Sequence, residues 1–148
     1  MEYEIRRTKI EDLPQILDLI HEFHAESIDG FGIFCNDKII NELMPKLVDT
    51  SLVMEIDGQI KGVIAGFIAD HIVNGDKFFH EVIWYVSKEY RKYGLKLLIE
   101  AENFCKEMGI KQIMMAHMGV DKENAFRKLY LAKGYTLLSV QYIKTLEG

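Results

Sequence analysis

The segment that runs from Val86 to Lys96 has the residue types and spacing that suit phosphate binding. A strand-like apolar run ends at Val86 and a helical pattern begins near Gly94, so the segment leads from a strand into a helix. The first N–H groups of a helix lack internal partners, and the helix dipole adds positive charge there. Gly94 lets a phosphate approach the backbone closely. Further positive charge comes from Arg91, Lys92 and Lys96. Taken alone, the pattern also suits a basic surface turn.

The elements around this segment follow from the apolar periodicity. Strands are predicted over 3–7, 52–56, 60–69, 78–86, 111–116 and 135–143, and helices over 10–23, 37–47, 95–108 and 121–133. Thr8 is expected to cap the first helix, Asp57-Gly58 to form a hairpin turn and Gly109 to end the third helix. The order β-α-α-β-β-β-α-β-α-β predicts an α/β (α+β) fold with helices on both faces of a mixed, mostly antiparallel sheet of six to seven strands. We expect one domain over residues 1–148.

The charge, the apolar runs, the cysteines and the histidines of the sequence argue against several classes of partner and site. The net charge of −5 argues against a nucleic-acid partner and permits a cationic one. No apolar run reaches the length of a membrane span, so no membrane partner is expected. Cys35 and Cys105 lie in apolar surroundings, and we expect them to be reduced in a cytoplasmic protein. His21 and His24 lie one helical turn apart without a third ligand in sight, which favours a solvated helix face over a metal site.

Two motifs resemble those of the GNAT superfamily of N-acetyltransferases, and the residues quoted are similar to its compact, phage-type members. The family's strand-to-helix motif, V-x-x-x-x-[Q/R]-x-x-G-x-[G/A], is matched by Val86, Arg91 and Gly94, with Lys96 where the last small residue is expected. Its second signature is matched by Asn124-Ala125, Tyr130 and Gly134-Tyr135. The predicted order of elements also resembles the family's fold. At Lys96 we expect the ammonium to reach a phosphate directly.

This resemblance implies direct transfer of an acetyl group from acetyl-CoA to an amine, without a covalent enzyme intermediate and without a metal. Tyr130 stands where the family's motif places the acid that protonates the leaving thiolate. A backbone N–H near Val86 would stabilise the carbonyl oxygen, where the family's sheet splits between neighbouring strands. The residues implied to contact the cofactor are Trp84, Tyr85, Val86, Arg91, Lys92, Tyr93, Gly94, Leu95, Lys96, Leu97, Asn124 and Tyr130.

The catalytic base has three protein candidates. Glu81 and His80 are adjacent in a strand, so only one of them can face the cleft. Glu81 fits the compact-family pattern and needs burial to raise its pKa, whereas His80 shares strand parity with Trp84 and Val86. His117, at the end of the next strand, is the third candidate, and deprotonation through water needs no dedicated base.

The acceptor is expected to be a primary amine on a small molecule or peptide. We expect the loop over residues 30–34 and the turn around Asn74 to bind it. The alternative function is a non-catalytic CoA-binding sensor or interaction module of the same fold. A nucleotide-binding domain is disfavoured because GxGxxG and GxxxxGK[ST] patterns are absent from the sequence. An exposed final strand would allow a homodimer.

Overall fold

The computed structural model describes residues 2–118 and 123–146, without the side chains of residues 123 and 124. The strands are β1 (Tyr3–Arg7), β2 (Ser51–Ile56), β3 (Gln59–Asp70), β4 (Lys77–Val86) and β5 (Gln112–Met114). The helices are α1 (Leu13–Phe23), α2 (Asp37–Leu43), α3 (Gly94–Glu107) and α4 (Glu123–Ala132). Short stretches of 3₁₀ or π helix cover Ile10–Asp12, His24–Ile28, Met44–Thr50 and Lys88–Tyr93. None of the described helices is long and apolar enough to cross a bilayer.

One sheet joins the strands in the order β1-β2-β3-β4-β5. The pairs β1–β2, β2–β3 and β3–β4 are antiparallel, and β5 runs parallel to β4. The prediction of a mixed, mostly antiparallel sheet is therefore confirmed. The predicted number of six to seven strands is not confirmed, because the sheet has five strands within the described residues.

Each face of the sheet carries its own hydrophobic core, because alternate strand residues point to opposite faces. On one face, Leu97 and Leu98 of α3 pack with Met54 and Val86, and Tyr130 of α4 belongs to the same cluster. On the other face, α1 packs against Val53, Ala65, Ile83 and Tyr85. Helices cover both faces, as predicted, and Cys105 is buried in the α3 core.

The turns that the sequence predicts have the backbone conformations they require. Asp57 and Gly58 both have positive φ, 48° and 82°, which suits a tight hairpin between β2 and β3. Gly109 has φ 73° just after α3, and the N–H of Ile110 donates to the carbonyl of Cys105 at 2.9 Å. This is the left-handed helix end that glycine favours.

The predicted final strand over 135–143 is wrong. After α4 the chain passes through Gly134, whose φ is 90°, and residues 135–146 form no strand. Strand propensity reflects packing against a neighbouring strand, and no such neighbour accompanies this segment within the described chain. Likewise β5 is shorter than predicted, because the backbone leaves the sheet after Met114.

The predicted cap at Thr8 is also wrong, since its buried hydroxyl has no hydrogen-bond partner among the described residues. Asp12 takes that role and accepts from the N–H of Lys9 at 2.8 Å. The Arg6 guanidinium binds the same carboxylate at 2.8 and 2.9 Å. These hydrogen bonds from Arg6 lower the pKa of Asp12 despite its burial.

Candidate active site

A bulge in β4 sets which side chains reach the site. Ala65 pairs with Ile83 and Gly66 pairs with Glu81, so Val82 has no partner in β3. Before the bulge, Glu81 shares a face with Phe79; after it, Trp84 and Val86 occupy that same face with α3. The predicted parity of His80 with Trp84 and Val86 is therefore wrong, because the extra residue reverses the alternation.

Gly66 permits this bulge. A β-carbon at this position would run into the backbone carbonyl of His80 and lie 2.7 Å from the Phe79 ring. No other residue therefore fits opposite Glu81 without moving the backbone, which explains a glycine in the interior of a strand.

Beyond the bulge, β4 and β5 separate. Their pairing covers only Phe78, Phe79 and His80 of β4. Residues 115–118 continue from β5 without strand structure, whereas β4 extends to Val86. The second half of β4 therefore lies beside residues 115–118 without strand pairing, and the sequence predicts the split of the sheet in this region. We call this region the β4 cleft.

Aromatic rings line the β4 cleft on the side of α4. The Trp84 ring centroid lies 6.0 Å from Phe126 and 6.1 Å from Tyr130. The imidazole of His117 is nearly parallel to the Phe126 ring at 6.0 Å and lies 6.2 Å from Tyr130. The cleft thus has an apolar wall in which few groups can exchange protons.

Glu81 and Tyr130 are two titratable groups whose pKa values are shifted at this wall. The Tyr130 hydroxyl donates to the carbonyl of Ala116 at 2.9 Å. Burial raises the pKa of the Glu81 carboxyl to about 7, although a hydrogen bond from the Ala116 backbone lowers it in part. Burial also raises the pKa of Tyr130, and the nearby charge of Glu81 raises it further. Near neutral pH the pair therefore combines a group able to accept a proton with a phenol that retains one.

His80 lies on the opposite face of the sheet. Its ring stacks on Phe67 with centroids 4.8 Å apart and planes 9° apart. Its Nδ1 lies 3.1 Å from the backbone carbonyl of Glu81, and donates to it. Of the three candidate bases, Glu81 and His117 are near Tyr130, and His80 is separated from it by the sheet.

Gly94 begins α3 directly after the 3₁₀ turn, and its N–H donates to the carbonyl of Arg91. Its φ of −59° is open to any residue. A β-carbon here would lie 3.8 Å from Val86 and 4.0 Å from Trp84, at ordinary contact distance. The fold itself therefore does not require glycine at this position, which leaves the approach of a ligand as a reason for it.

Arg91 is held by protein groups. Its Nε donates to the carbonyl of Val86 at 3.1 Å, and its guanidinium pairs with Glu26 of the π turn. The Tyr85 hydroxyl donates to the same Glu26 carboxylate at 2.8 Å. Although burial opposes ionisation, the hydrogen bonds from Arg91 and Tyr85 lower the pKa of Glu26. The sequence does not predict a role for Glu26, because Glu26 and Arg91 are far apart in the chain and meet only in the folded structure.

Lys96 is directed at β1. Its ammonium donates to the Tyr3 hydroxyl at 2.8 Å and lies over the rings of Tyr3 and Tyr93 at 4.9 and 5.7 Å. A direct contact with phosphate remains a prediction and requires the ammonium to leave Tyr3.

The other predicted cofactor contacts differ in exposure. Leu97 is fully buried in the α3 core, so only its backbone can reach a ligand, while Lys92 and Leu95 are exposed. The Tyr85 side chain faces the α1 core. The Asn124 side chain lies outside the described residues.

The two regions predicted to bind the acceptor lie apart. The Asn74 turn joins β3 and β4 at the end of the hairpin remote from Val86, about 30 Å along β4. The 30–34 loop follows the π turn, where His24 Nε2 donates to the carbonyl of Ile33.

Residues 14–135 match the family model described as "Acetyltransferase (GNAT) family". The chain belongs to the GNAT family of acetyltransferases. A comparison with curated protein sequences finds no match.

Solved structures of GNAT proteins share this fold along their whole length. A ribosomal-protein-alanine N-acetyltransferase from Brucella melitensis is 16% identical with a TM-score of 0.76, covering 99% of this chain and 100% of that one. An aminoglycoside acetyltransferase from an uncultured soil sample, solved with sisomicin, is 19% identical with a TM-score of 0.72, covering 98% of this chain and 97% of that one. Glucosamine-6-phosphate N-acetyltransferase from Arabidopsis thaliana is 20% identical with a TM-score of 0.71, covering 99% of this chain and 100% of that one. Likeness at this level of identity shows the fold alone.

Proposed function

We propose that the protein transfers an acetyl group from acetyl-CoA to a primary amine. The observation that carries this proposal is the meeting of Glu81 and Tyr130 at the β4 cleft, one with a pKa near neutrality and the other still protonated. General acid–base catalysis works best with such a pair, since each group is in its reactive form at the working pH.

The anion-binding end of the proposed cofactor site is the start of α3. A β-carbon on Gly94 would make only ordinary contacts with Val86 and Trp84, so the fold does not account for this glycine, whereas close approach of a pyrophosphate to the backbone would. We propose that the backbone from Arg91 to Leu97 holds this group and that Trp84 to Val86 hold the pantetheine arm. Acetyl-CoA, when bound, supplies the acetyl group and a thiolate leaving group.

The residues of this chain would then divide the proton transfers. Glu81, as a carboxylate, accepts a proton from the amine as its nitrogen bonds to the acetyl carbon. Tyr130 releases the Ala116 carbonyl and donates its proton to the sulfur as the carbon–sulfur bond breaks. A backbone N–H of β4 near Val86 stabilises the negative charge on the acetyl oxygen. His117, on the same wall, is the second candidate for the base.

The names of three structural neighbours refer to a ribosomal-protein alanine, an aminoglycoside and glucosamine 6-phosphate. We propose a primary amine because each of these names is compatible with N-acetylation. The net charge of −5 favours a cationic acceptor.

The second candidate function is a CoA-binding module without catalysis. The observation that favours it is the Tyr130 hydrogen bond to Ala116, since a tyrosine satisfied in this way can serve structure alone.

A panel of amines separates the two functions. The protein is incubated with acetyl-CoA and polyamines, aminoglycosides, amino sugars or peptides, and free thiol is measured. We expect CoA release with at least one cationic amine. Calorimetric binding of acetyl-CoA without release would support the binding module, and no binding at all would contradict both functions.

A further inference from the structure

Gly66 lies where the strands on both sides of β3 change their pairing. Strand β2 begins at Ser51, which pairs with Ala65, so Gly66 is the first residue of β3 beyond the start of β2. On the other side, Gly66 pairs with Glu81, directly before the unpaired Val82 of the bulge. Gly66 is buried, and a buried backbone carbonyl needs a hydrogen-bond donor.

Thr50 supplies this donor from its side chain. The Thr50 hydroxyl donates to the Gly66 carbonyl. The carbonyl of Leu47 lies 3.3 Å from the same hydroxyl and makes the longer of the two contacts. Because a hydroxyl carries a single proton, the shorter contact with Gly66 is the one that this proton serves best. The hydroxyl thus extends the β2–β3 pairing by one residue beyond the strand.

The chain around Thr50 is itself held in place. Thr50 is the last residue of the 3₁₀ stretch Met44–Thr50, and β2 follows at once. The hydroxyl of the buried Ser51 donates to the carbonyl of Val48 at 3.0 Å. The carbonyl of Ser51 accepts from the N–H of Thr8 at 3.2 Å. A donor on a backbone fixed at both ends holds its acceptor in one position.

The position of Gly66 determines the shape of the bulge in β4. A β-carbon on Gly66 would run into the backbone carbonyl of His80, so the two strands are in close backbone contact at this point. A movement of Gly66 is therefore passed directly to the residues opposite it. The bulge in turn places Glu81 on the face of the sheet that Trp84 and α4 occupy.

We infer that Thr50 is a positioning residue whose hydroxyl holds the Gly66 carbonyl and so fixes the bulge that directs Glu81 towards α4. Without this hydrogen bond, the buried carbonyl has to turn towards another donor, and the bulge loses its single geometry. The consequence for catalysis rests on the proposed function, in which Glu81 is the base. The effect on the orientation and burial of the carboxyl does not.

The carboxyl of Glu81 reports on the state of the bulge. Burial raises its pKa to about 7, so water that enters a loosened bulge should lower this pKa towards 4.5. The elements on this face bring other titratable groups. Tyr130 of α4 has a pKa raised by burial and by the charge of Glu81, and His117 lies beside Tyr130. On α3, burial raises the pKa of the Cys105 thiol to about 11. Glu81→Gln identifies the transition that belongs to the carboxyl.

Carbon-13 NMR of protein labelled in its glutamate side chains measures the pKa of Glu81 directly, and the signal lost in Glu81→Gln assigns it. Thr50→Val replaces the hydroxyl by a methyl group of similar size and should lower this pKa by at least about half a unit. Thr50→Ser keeps the hydroxyl and should restore the wild-type value. Thr8→Val makes the same exchange at a buried hydroxyl that has no partner among the described residues, and should leave the pKa unchanged.

The pH profile of kcat/KM is the second measurement. In Thr50→Val the profile should rise at lower pH than in the wild type and should level off on the order of tenfold below it, because the base is weaker and less well placed. Thr50→Ser and Thr8→Val should follow the wild type. A wild type that transfers no acetyl group would contradict the proposed function, and the NMR titration would still decide the role of Thr50.

Two results overturn the inference. The first is an unchanged pKa of Glu81 in Thr50→Val. The second is an equal shift in Thr8→Val, which would show that the loss of any buried hydroxyl loosens the sheet. If Thr50→Val does not fold, Thr50→Ala removes the same hydroxyl without adding a methyl group beside the carbonyl, and the same two criteria apply to it.

Discussion

Glu81 and Tyr130 are joined through the backbone of one residue, Ala116. The Tyr130 hydroxyl donates to the Ala116 carbonyl at 2.9 Å, and the Ala116 backbone lies close enough to the Glu81 carboxyl to lower the pKa of that carboxyl in part. A carboxyl from β4 and a phenol from α4 thus meet on the short chain that leaves β5. The bulge at Val82 makes this possible, because it directs Glu81 to the face that α4 covers.

The pH dependence of turnover should follow Glu81. Because burial raises the pKa of its carboxyl from 4.5 to about 7, kcat/KM should rise with pH and level off above about 7. Glu81→Gln should remove this rise and leave only the titration of the acceptor amine. Steady-state rates across the pH range check this, with the exposed Glu11→Gln as the matched control. An unchanged profile in Glu81→Gln would exclude Glu81 as the base.

The same carboxyl should reduce stability at high pH. Its folded pKa lies above the unfolded value of 4.5, so the native state favours the protonated form. The penalty is absent below the unfolded pKa, grows as pH rises towards about 7, and is at most on the order of 3 kcal/mol. Glu81→Gln should therefore melt several degrees above wild type at alkaline pH and gain little at acidic pH. Equal gains at both pH values would contradict the burial of this charge.

How far the sequence determines this architecture differs from element to element. The apolar runs of β2 and β3, which the turn at Asp57-Gly58 separates, and the glycine at position 109 predict their elements because local propensity and tertiary packing agree. The segment over 135–143 has strand propensity without a strand, because pairing depends on an edge that the sequence does not specify.

The site is less predictable than the fold. Simple alternation along β4 predicts that His80 and Trp84 face the same side of the sheet. The single unpaired residue Val82 puts them on opposite sides. Gly66 is the only sequence signal for the bulge, since glycine inside a strand often marks one. The hydrogen bond from Tyr130 to Ala116 and the ion pair between Glu26 and Arg91 form only in the folded chain, so residue spacing in the sequence does not predict them.

Gly94→Ala should separate folding from cofactor binding. A β-carbon fits beside Val86 and Trp84, and alanine in a helix is more stable than glycine by roughly 0.5–1 kcal/mol. The variant should melt at or above the wild-type temperature and bind acetyl-CoA more weakly by calorimetry. Gly94→Glu should abolish binding, since it brings a carboxylate to the pyrophosphate. Wild-type affinity in both variants would remove α3 from the cofactor site.

The Arg6–Asp12 pair should support the fold without affecting turnover. Both side chains are largely buried, so Asp12→Ala leaves the guanidinium of Arg6 with only the longer pairing to Glu55, at 3.4 Å, and should cost up to about 3 kcal/mol at neutral pH. Because the folded pKa of Asp12 is lowered, this contribution is present above its unfolded pKa of about 4 and is lost as the pH falls through the folded value. Denaturant unfolding checks it. Asp70→Ala, which breaks the exposed pair with Lys77, should cost less than about 1 kcal/mol.

The most direct measurement compares kcat of wild type and Tyr130→Phe in the amine-acetylation assay, with acetyl-CoA affinity measured in parallel. The account predicts that kcat falls by about 10²-fold or more, because the leaving thiolate loses its acid, while affinity stays within a few-fold of wild type. Tyr135→Phe, which removes the partly buried hydroxyl that donates to Glu102 at 2.7 Å, should keep wild-type kcat. An unchanged kcat in Tyr130→Phe, or equal losses in both variants, would contradict the central claim.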